Sequence, residues 1–451
     1  MSVSWKFGSE DYSFRRTLLP HVDVALQGGT ATGPDLSARL GRIYFEGGRW
    51  QAAERLQVLA AETRRRMLGE EHPDSLTSMA NLASTYWNQG RWKEAEELAL
   101  LVMETRKRIF GEEHPDSLTS MANLALMYWN QGRWKEAEKL QVLVMESRKR
   151  ELGQEHPDSL TSMGNMASTY RHQGRWKEAE KLDVLVMETR KRVFGEEHPD
   201  SLLSMANLAS TYWNQGRWKE AEKLQVQVME MRKRVLGEEH PDSLKIMANL
   251  ASTYLKQGRW KDAEKLQVLV MEARKRVLGE EHPDSLLTMG NLASTYGNQG
   301  RCKEAEELEV LVMETRKRVL GEEHPDSLLT IGNLASTYRT QGRWQEAEEL
   351  DVLVMEARKR VLGEEHPDSL LSMGNLAWTY WNQGRWKEAE ELEMLVMETR
   401  MRVFGEEHPD SLFSMGNLAL IYRAQSRWKE AEELEMLVME TMKRMSGQEH
   451  S

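Results

Sequence analysis

Recurrence constrains this chain more than any other feature. The stretch Gly69–Phe110 reads GEEHPDSLTSMANLASTYWNQGRWKEAEELALLVMETRKRIF, and near-copies begin at Gly111, Gly153, Gly195, Gly237, Gly279, Gly321, Gly363 and Gly405. Nine copies of 42 residues therefore fill residues 69–446, preceded by a degenerate copy over 27–68. A fixed period of this size means that each unit buries its apolar face against its neighbours, as in a solenoid. The length of 451 residues then carries no domain count, because a solenoid grows by addition and needs no central core.

Within the unit, two helices are expected. Pro73 and Asp74 open the first, with Asp74 placed to accept from the free backbone donors of its first turn. Leu76, Met79, Ala83 and Tyr86, with Leu82 beside them, form an apolar stripe at 3–4 spacing. Asn88, Gln89 and Gly90 end it. The second helix runs from about Arg91 to Phe110 with Trp92, Ala95, Leu98, Val102 and Ile109 as its stripe. Its acids cluster early and its bases late, which suits the helix dipole. Short connections force neighbouring helices antiparallel. In the degenerate copy, Pro34 and Asp35 predict a first helix one turn shorter, and Arg39 and Glu46 replace residues that are Asn elsewhere. Residues 1–26 do not match the repeat. Leu18, Leu19, Val22 and Leu26, with a kink at Pro20, predict a short capping helix, with an interaction helix as the alternative. Residues 447–451 read as a truncated start of another repeat. No polar cap follows them, so the last hairpin is expected to fray or to associate with another copy through its uncapped C-terminal end.

The residues Leu82-Ala83, Tyr86, Gly90-Arg91, Ala95 and Val102 resemble the tetratricopeptide repeat, and the Gly-Glu-Glu-His-Pro-Asp-Ser loop at 42-residue spacing is similar to its kinesin-light-chain type. The resemblance covers residues 27–451. It implies an all-α fold, a right-handed superhelical solenoid of about ten antiparallel helix hairpins, with each first helix on the concave wall. Near-identical copies of this kind also resemble the C-terminal arrays of fungal NACHT and NB-ARC signalling NTPases, and Arg15–Val22 is similar to the segment leading into such arrays. No G-x-x-x-x-G-K-[ST] phosphate loop occurs in the chain. A fold of this kind says little about function by itself.

Composition and motif spacing argue against catalysis. Nine histidines sit one per copy in the Glu-His-Pro-Asp loop, from His72 to His408, too far apart to converge on one metal. No carboxylate pair stands apart from its copies as an acid–base pair would. We therefore expect neither metal nor cofactor, and no enzyme. The lone Cys302 excludes an internal disulfide and stands where other copies carry Trp260 or Trp344. The formal net charge of −11 opposes bulk attraction to nucleic acid or an anionic membrane. No apolar run approaches the ~20 residues of a membrane span, and Lys6, Glu10 and Asp11 interrupt any signal-peptide core. A cytoplasmic setting is expected.

Comparing the copies with one another is more informative. The column after Tyr86 reads Trp87, Trp129, Arg171, Trp213, Leu255, Gly297, Arg339, Trp381 and Arg423, and the next one includes His172 and Lys256. The Ser84 column becomes Leu126, Trp378 and Leu420; the Thr77 column runs through Thr, Leu, Lys245 and Phe413. These positions share one helix face, away from the buried stripe. Either they are tolerant positions, with tryptophans filling gaps between helices, or they are recognition positions on a groove wall. Trp and Arg are the residues that most often dominate interfaces. Another column never varies: Asn81, Asn123, Asn165, Asn207, Asn249, Asn291, Asn333, Asn375 and Asn417. Asparagine carries donor and acceptor, so this ladder could hold a peptide main chain or bond the neighbouring helix. The expected function is a non-catalytic scaffold for a protein or extended peptide. The alternatives are a helical-repeat RNA reader and a regulator or decoy pairing with homologous arrays of NACHT/NB-ARC NTPases.

Overall fold

The computed structural model describes residues 33–447, with side chains as far as Arg444. The capping segment expected over 1–26 and the tail residues 448–451 lie outside this range. Among the described residues every helix belongs to a hairpin and no strand occurs. Hairpin 1 pairs Pro34–Glu46 with Trp50–Leu68, and hairpin 2 pairs Pro73–Asn88 with Trp92–Phe110. The same pair recurs at each repeat as far as hairpin 10, Pro409–Ala424 with Trp428–Gly447. The first helix of hairpin 1 has 13 residues against 16 in hairpin 2, which is the missing turn.

Each first helix starts on proline, whose fixed φ and absent N–H suit the first helical position. The cap differs from the expectation. His72 is the N-cap, and its Nδ1 accepts from the Asp74 backbone N–H at 3.2 Å, where Asp74 itself had been expected to cap. The same bond recurs from His114 to His408, so the loop histidines are helix caps. Gly90, at φ 76, turns the chain back into the second helix. In hairpin 10 that position is Ser426, at φ 64, the one non-glycine among the described residues held in the left-handed region, where a Cβ is strained.

Leu76, Ala83, Ala95 and Val102 are almost fully buried, as are their copies Leu118, Ala125, Ala137 and Val144. The small alanines let the helices of a hairpin close together. Trp92 and Ile109 depart from the expected stripe. Trp92 lies flat on Trp87 at 5.0 Å across the mouth of the hairpin, and Ile109 is exposed in the last turn of its helix.

Two polar ladders join the hairpins. The buried Arg106 guanidinium leaves the second helix of hairpin 2 and donates to Ser120 Oγ of hairpin 3 at 3.0 Å and to Thr77 Oγ1 at 3.2 Å. Arg274, Arg316 and Arg400 make the equivalent bonds to Thr288, Thr330 and Ser414. At the hairpin turns, Arg91 lies 4.1 Å from the Tyr86 ring centre and pairs with Glu54 of the preceding hairpin at 2.6 Å. Gln89 donates to the same carboxylate at 2.8 Å, and this knot repeats at Arg133 with Glu96 and at Arg385 with Glu348.

The described chain forms two compact units, one ending at Thr295 and the other starting at Tyr296. The first coils far enough for its beginning to meet its end. A Cβ on Gly48 would come within 2.7 Å of Pro283 Cδ, and the His282 imidazole donates to the Glu46 carbonyl. The second unit holds hairpins 8–10 and the remainder of hairpin 7.

Enlarging an alanine of the close approach should overpack the hairpin. Ala95→Leu is expected to cost ~1–3 kcal/mol, seen as a lower chemical-denaturation midpoint with the helical circular dichroism of the folded state retained.

Candidate functional site

The variable columns divide by depth. Positions of the Thr77 column are exposed on every first helix, including Lys245 and Phe413, the latter 64% exposed. Leu126, Trp378 and Leu420 of the Ser84 column are also exposed. Asn81, Asn123 and Asn165 are exposed, while Asn207, Asn249, Asn291, Asn333, Asn375 and Asn417 are half-buried. Asn417 donates to Glu393 Oε1 at 3.3 Å; the other eight side-chain amides make no hydrogen bond among the described residues.

The next column serves its own helix. Asn130 and Asn382 donate to the carbonyls of Leu126 and Trp378 at 2.8 Å. His172 is exposed and meets Trp129 edge-on at 4.4 Å, and Lys256 lies 5.6 Å from the Trp213 ring centre.

The column after Tyr86 requires a correction. Arg171 and Arg339 were expected on an open wall; both are wedged inside the stack. Arg171 Nη1 bonds Asp183 Oδ2 at 2.8 Å and Thr211 Oγ1 of the next hairpin at 3.1 Å, and Arg339 pairs with Asp351 at 2.6 Å. Burial pushes the Asp183 carboxyl up and the Arg171 guanidinium down, and their mutual attraction opposes both. Neither arginine is available to a ligand. Trp87 is half-buried against the cluster that holds Ala99 and Met127. Trp129, Trp213 and Trp381 are likewise half-buried, each with its indole N–H buried and unbonded among the described residues. Arg423 pairs with Glu435 at 2.7 Å and is exposed.

Two features escaped the sequence reading. One is a polar seam between each second helix and the following first helix. Thr85 Oγ1 donates to Gln57, Thr169 to Gln141, Thr211 to Asp183 and Thr379 to Asp351. Where hairpin 2 has Ala99 in place of the acceptor, hairpin 3 has Met127 in place of the donor, and both join one apolar cluster. This paired change was readable from the copies. The other is a row of leucines, Leu101, Leu143, Leu185, Leu269 and their copies, exposed on the second helices.

A tetratricopeptide-repeat family model matches residues 35–104, 79–150, 116–183, 158–234, 201–268, 246–318 and 326–400, and a second tetratricopeptide-repeat model matches 414–451. The chain belongs to the tetratricopeptide repeat family. This tetratricopeptide array is similar to a Podosopora anserina protein of nearly identical TPR-like repeats, assigned as a kinesin light chain, at 31% identity over 44% of this chain and 93% of that one, with a TM-score of 0.39. It is similar to BtubC (BKLC) of P. vanneervenii at 18% identity over 51% and 92% of the two chains, TM-score 0.42. A Rap protein complexed with Competence and Sporulation Factor shares the fold at 11% identity over 83% and 99%, TM-score 0.54. No curated protein matches the chain.

The buried acids of this tetratricopeptide seam have unequal surroundings. Burial pushes Glu309 up to about 7, against the Thr337 hydroxyl, which favours the charged form. Burial also pushes Glu393 up to about 7, against Arg400, Asn417 and Ser414. Among the described residues no three His, Cys, Asp or Glu side chains form a metal-holding group, and no helix is long and apolar enough to cross a membrane.

Two predictions follow from these environments. Arg171→Ala strands a buried carboxylate and should cost ~3–5 kcal/mol in chemical denaturation, whereas Arg423→Ala, on the surface, should leave the midpoint unchanged. A folded Glu309 keeps its proton up to pH about 7, while an unfolded glutamate releases it at its ordinary value of 4.5. Folding therefore binds a proton in this window, and stability falls as pH rises through it. Glu309→Gln should melt above wild type at pH 8 and at the same temperature as wild type near pH 4.5.

Proposed function

We propose that the array is a non-catalytic scaffold that binds an extended protein segment along the first-helix faces of each unit, the wall that the family makes concave. Tetratricopeptide solenoids mediate protein interactions as a class, and the partner here is to be sought among peptides with apolar side chains. The observation that carries this reading is the character of the exposed positions on that face. They vary from copy to copy and display large apolar groups to solvent, including Phe413 and Trp378, the latter 44% exposed. Beside them stand the amides of the Asn81 column, all but Asn417 unbonded among the described residues, each able to donate to and accept from a peptide backbone. Of the half-buried tryptophans, Trp381 stacks on Trp378 at 4.7 Å, and Trp87 packs on the cluster of Ala99 and Met127.

A second reading has its own support. The exposed leucine row on the second helices is an apolar strip suited to lateral association with a homologous array, such as those of NACHT/NB-ARC NTPases.

Panning a random peptide library separates the two. Wild type should enrich apolar peptides, and the variant Leu126→Ser, Leu203→Ser, Trp378→Ser, Phe413→Ser should lose that enrichment while keeping its melting midpoint. Equal enrichment by both proteins would reject the first-helix wall.

A further inference from the structure

Gly297 stands in hairpin 7 where hairpins 4 and 8 carry Arg171 and Arg339. In those hairpins the guanidinium reaches a carboxylate twelve residues further on, Asp183 at 2.8 Å and Asp351 at 2.6 Å, and both acids are 2% exposed. Hairpin 7 keeps the buried acid but lacks the cation. Glu309 is 2% exposed, and its Oε2 is buried with no hydrogen-bond partner among the described residues. Thr337 bonds the same carboxyl group, and the charged group it feels is Glu306, which is of like sign. A Cβ built on Gly297 would meet nothing within 4 Å.

The other acids of this column lack that combination. Asp183 and Asp351 have their arginines, and Glu393 receives Asn417 and has Trp381 twelve residues before it. Glutamate is also one methylene longer than aspartate, so a cation entering from solvent has less far to reach.

We propose that the gap at Gly297 is a binding site for a guanidinium group, an arginine side chain of the bound partner segment, held by Glu309 as Asp183 and Asp351 hold the chain's own arginines. Arginine suits this place better than lysine. Its planar, weakly hydrated head tolerates burial beside a carboxylate, and both occupied copies of the site use it. The proposal rests on the partner-binding reading above and names one side chain that the partner supplies.

The test titrates wild type at pH 8 with N-acetyl-arginine amide, N-acetyl-lysine amide and free arginine, using calorimetry on the full chain. The blocked arginine should bind saturably, roughly tenfold or more tighter than the blocked lysine, and no more weakly than free arginine. Gly297→Arg fills the gap from within, and it should remove this binding and raise the melting midpoint. Glu309→Gln keeps the gap without the charge, and it should also remove the binding; it stands as the test if Gly297→Arg fails to fold. Equal binding to wild type and Glu309→Gln, or none to wild type, would overturn the site. Free arginine binding tenfold tighter than the blocked form would overturn its assignment to a partner's side chain. Absence of probe binding to wild type with peptide-library enrichment intact rejects this site alone, and probe binding without that enrichment rejects only the wall.

Discussion

Each hairpin of this array is fastened to the next by a guanidinium that it cannot satisfy alone. Arg106 is buried, and burial disfavours its charge. It is stable there because the first two turns of the following helix present the Asp116 carbonyl and the Ser120 hydroxyl. A buried charge is tolerated only when hydrogen-bonded. The bond therefore exists only when two hairpins are stacked in register. Alanine contacts inside the hairpin set how closely its own helices approach, but this arginine sets where the next hairpin sits. Stability in such a chain is a sum of nearest-neighbour couplings, and this coupling is directional.

The seam beside it obeys the same rule at lower charge. A buried acceptor on one hairpin needs a donor on the next, so a change on one side is matched on the other. Gln57 faces Thr85. Ala99 faces Met127 in one apolar cluster. Asp183, a stronger acceptor than Gln, takes both Thr211 and Arg171. Leaving a buried donor or acceptor without its partner costs more than an average hydrogen bond contributes, which is why the changes come in pairs.

Much of the architecture was legible in the sequence. The period gave the hairpins, proline and glycine their limits, and the alanine columns the close approaches. The role of Arg171 was not legible in the same way. Helical periodicity groups residues by face within one helix, and Arg171 shares a face with Asn88-type and Thr77-type positions. Its partner Asp183 lies twelve residues on, in another helix and past a turn, where 3–4 spacing says nothing. The cap was misassigned for a related reason. Asp74 and His72 both carry acceptors at a helix start, and sequence preference favours aspartate, but here the imidazole nitrogen is the one that reaches the amide.

Variation between copies therefore carries two messages that depth separates. The Thr77 column is exposed throughout, as are Leu126, Trp378 and Leu420 of the Ser84 column, and both columns change without a matched change elsewhere. The column after Tyr86 changes together with the acid or amide twelve residues later: Arg171 with Asp183, Arg339 with Asp351 and Arg423 with Glu435 are all matched pairs. Those substitutions belong to folding. Hairpins 7 and 9 break the correlation, with Glu309 opposite Gly297 and Glu393 opposite Trp381, but Glu393 receives Asn417 whereas Glu309 Oε2 has no hydrogen-bond partner among the described residues. Below pH about 7 Glu309 is neutralised by its own proton; above it the buried carboxylate has no cation beside it among the described residues, and a guanidinium from a partner would complete the pair.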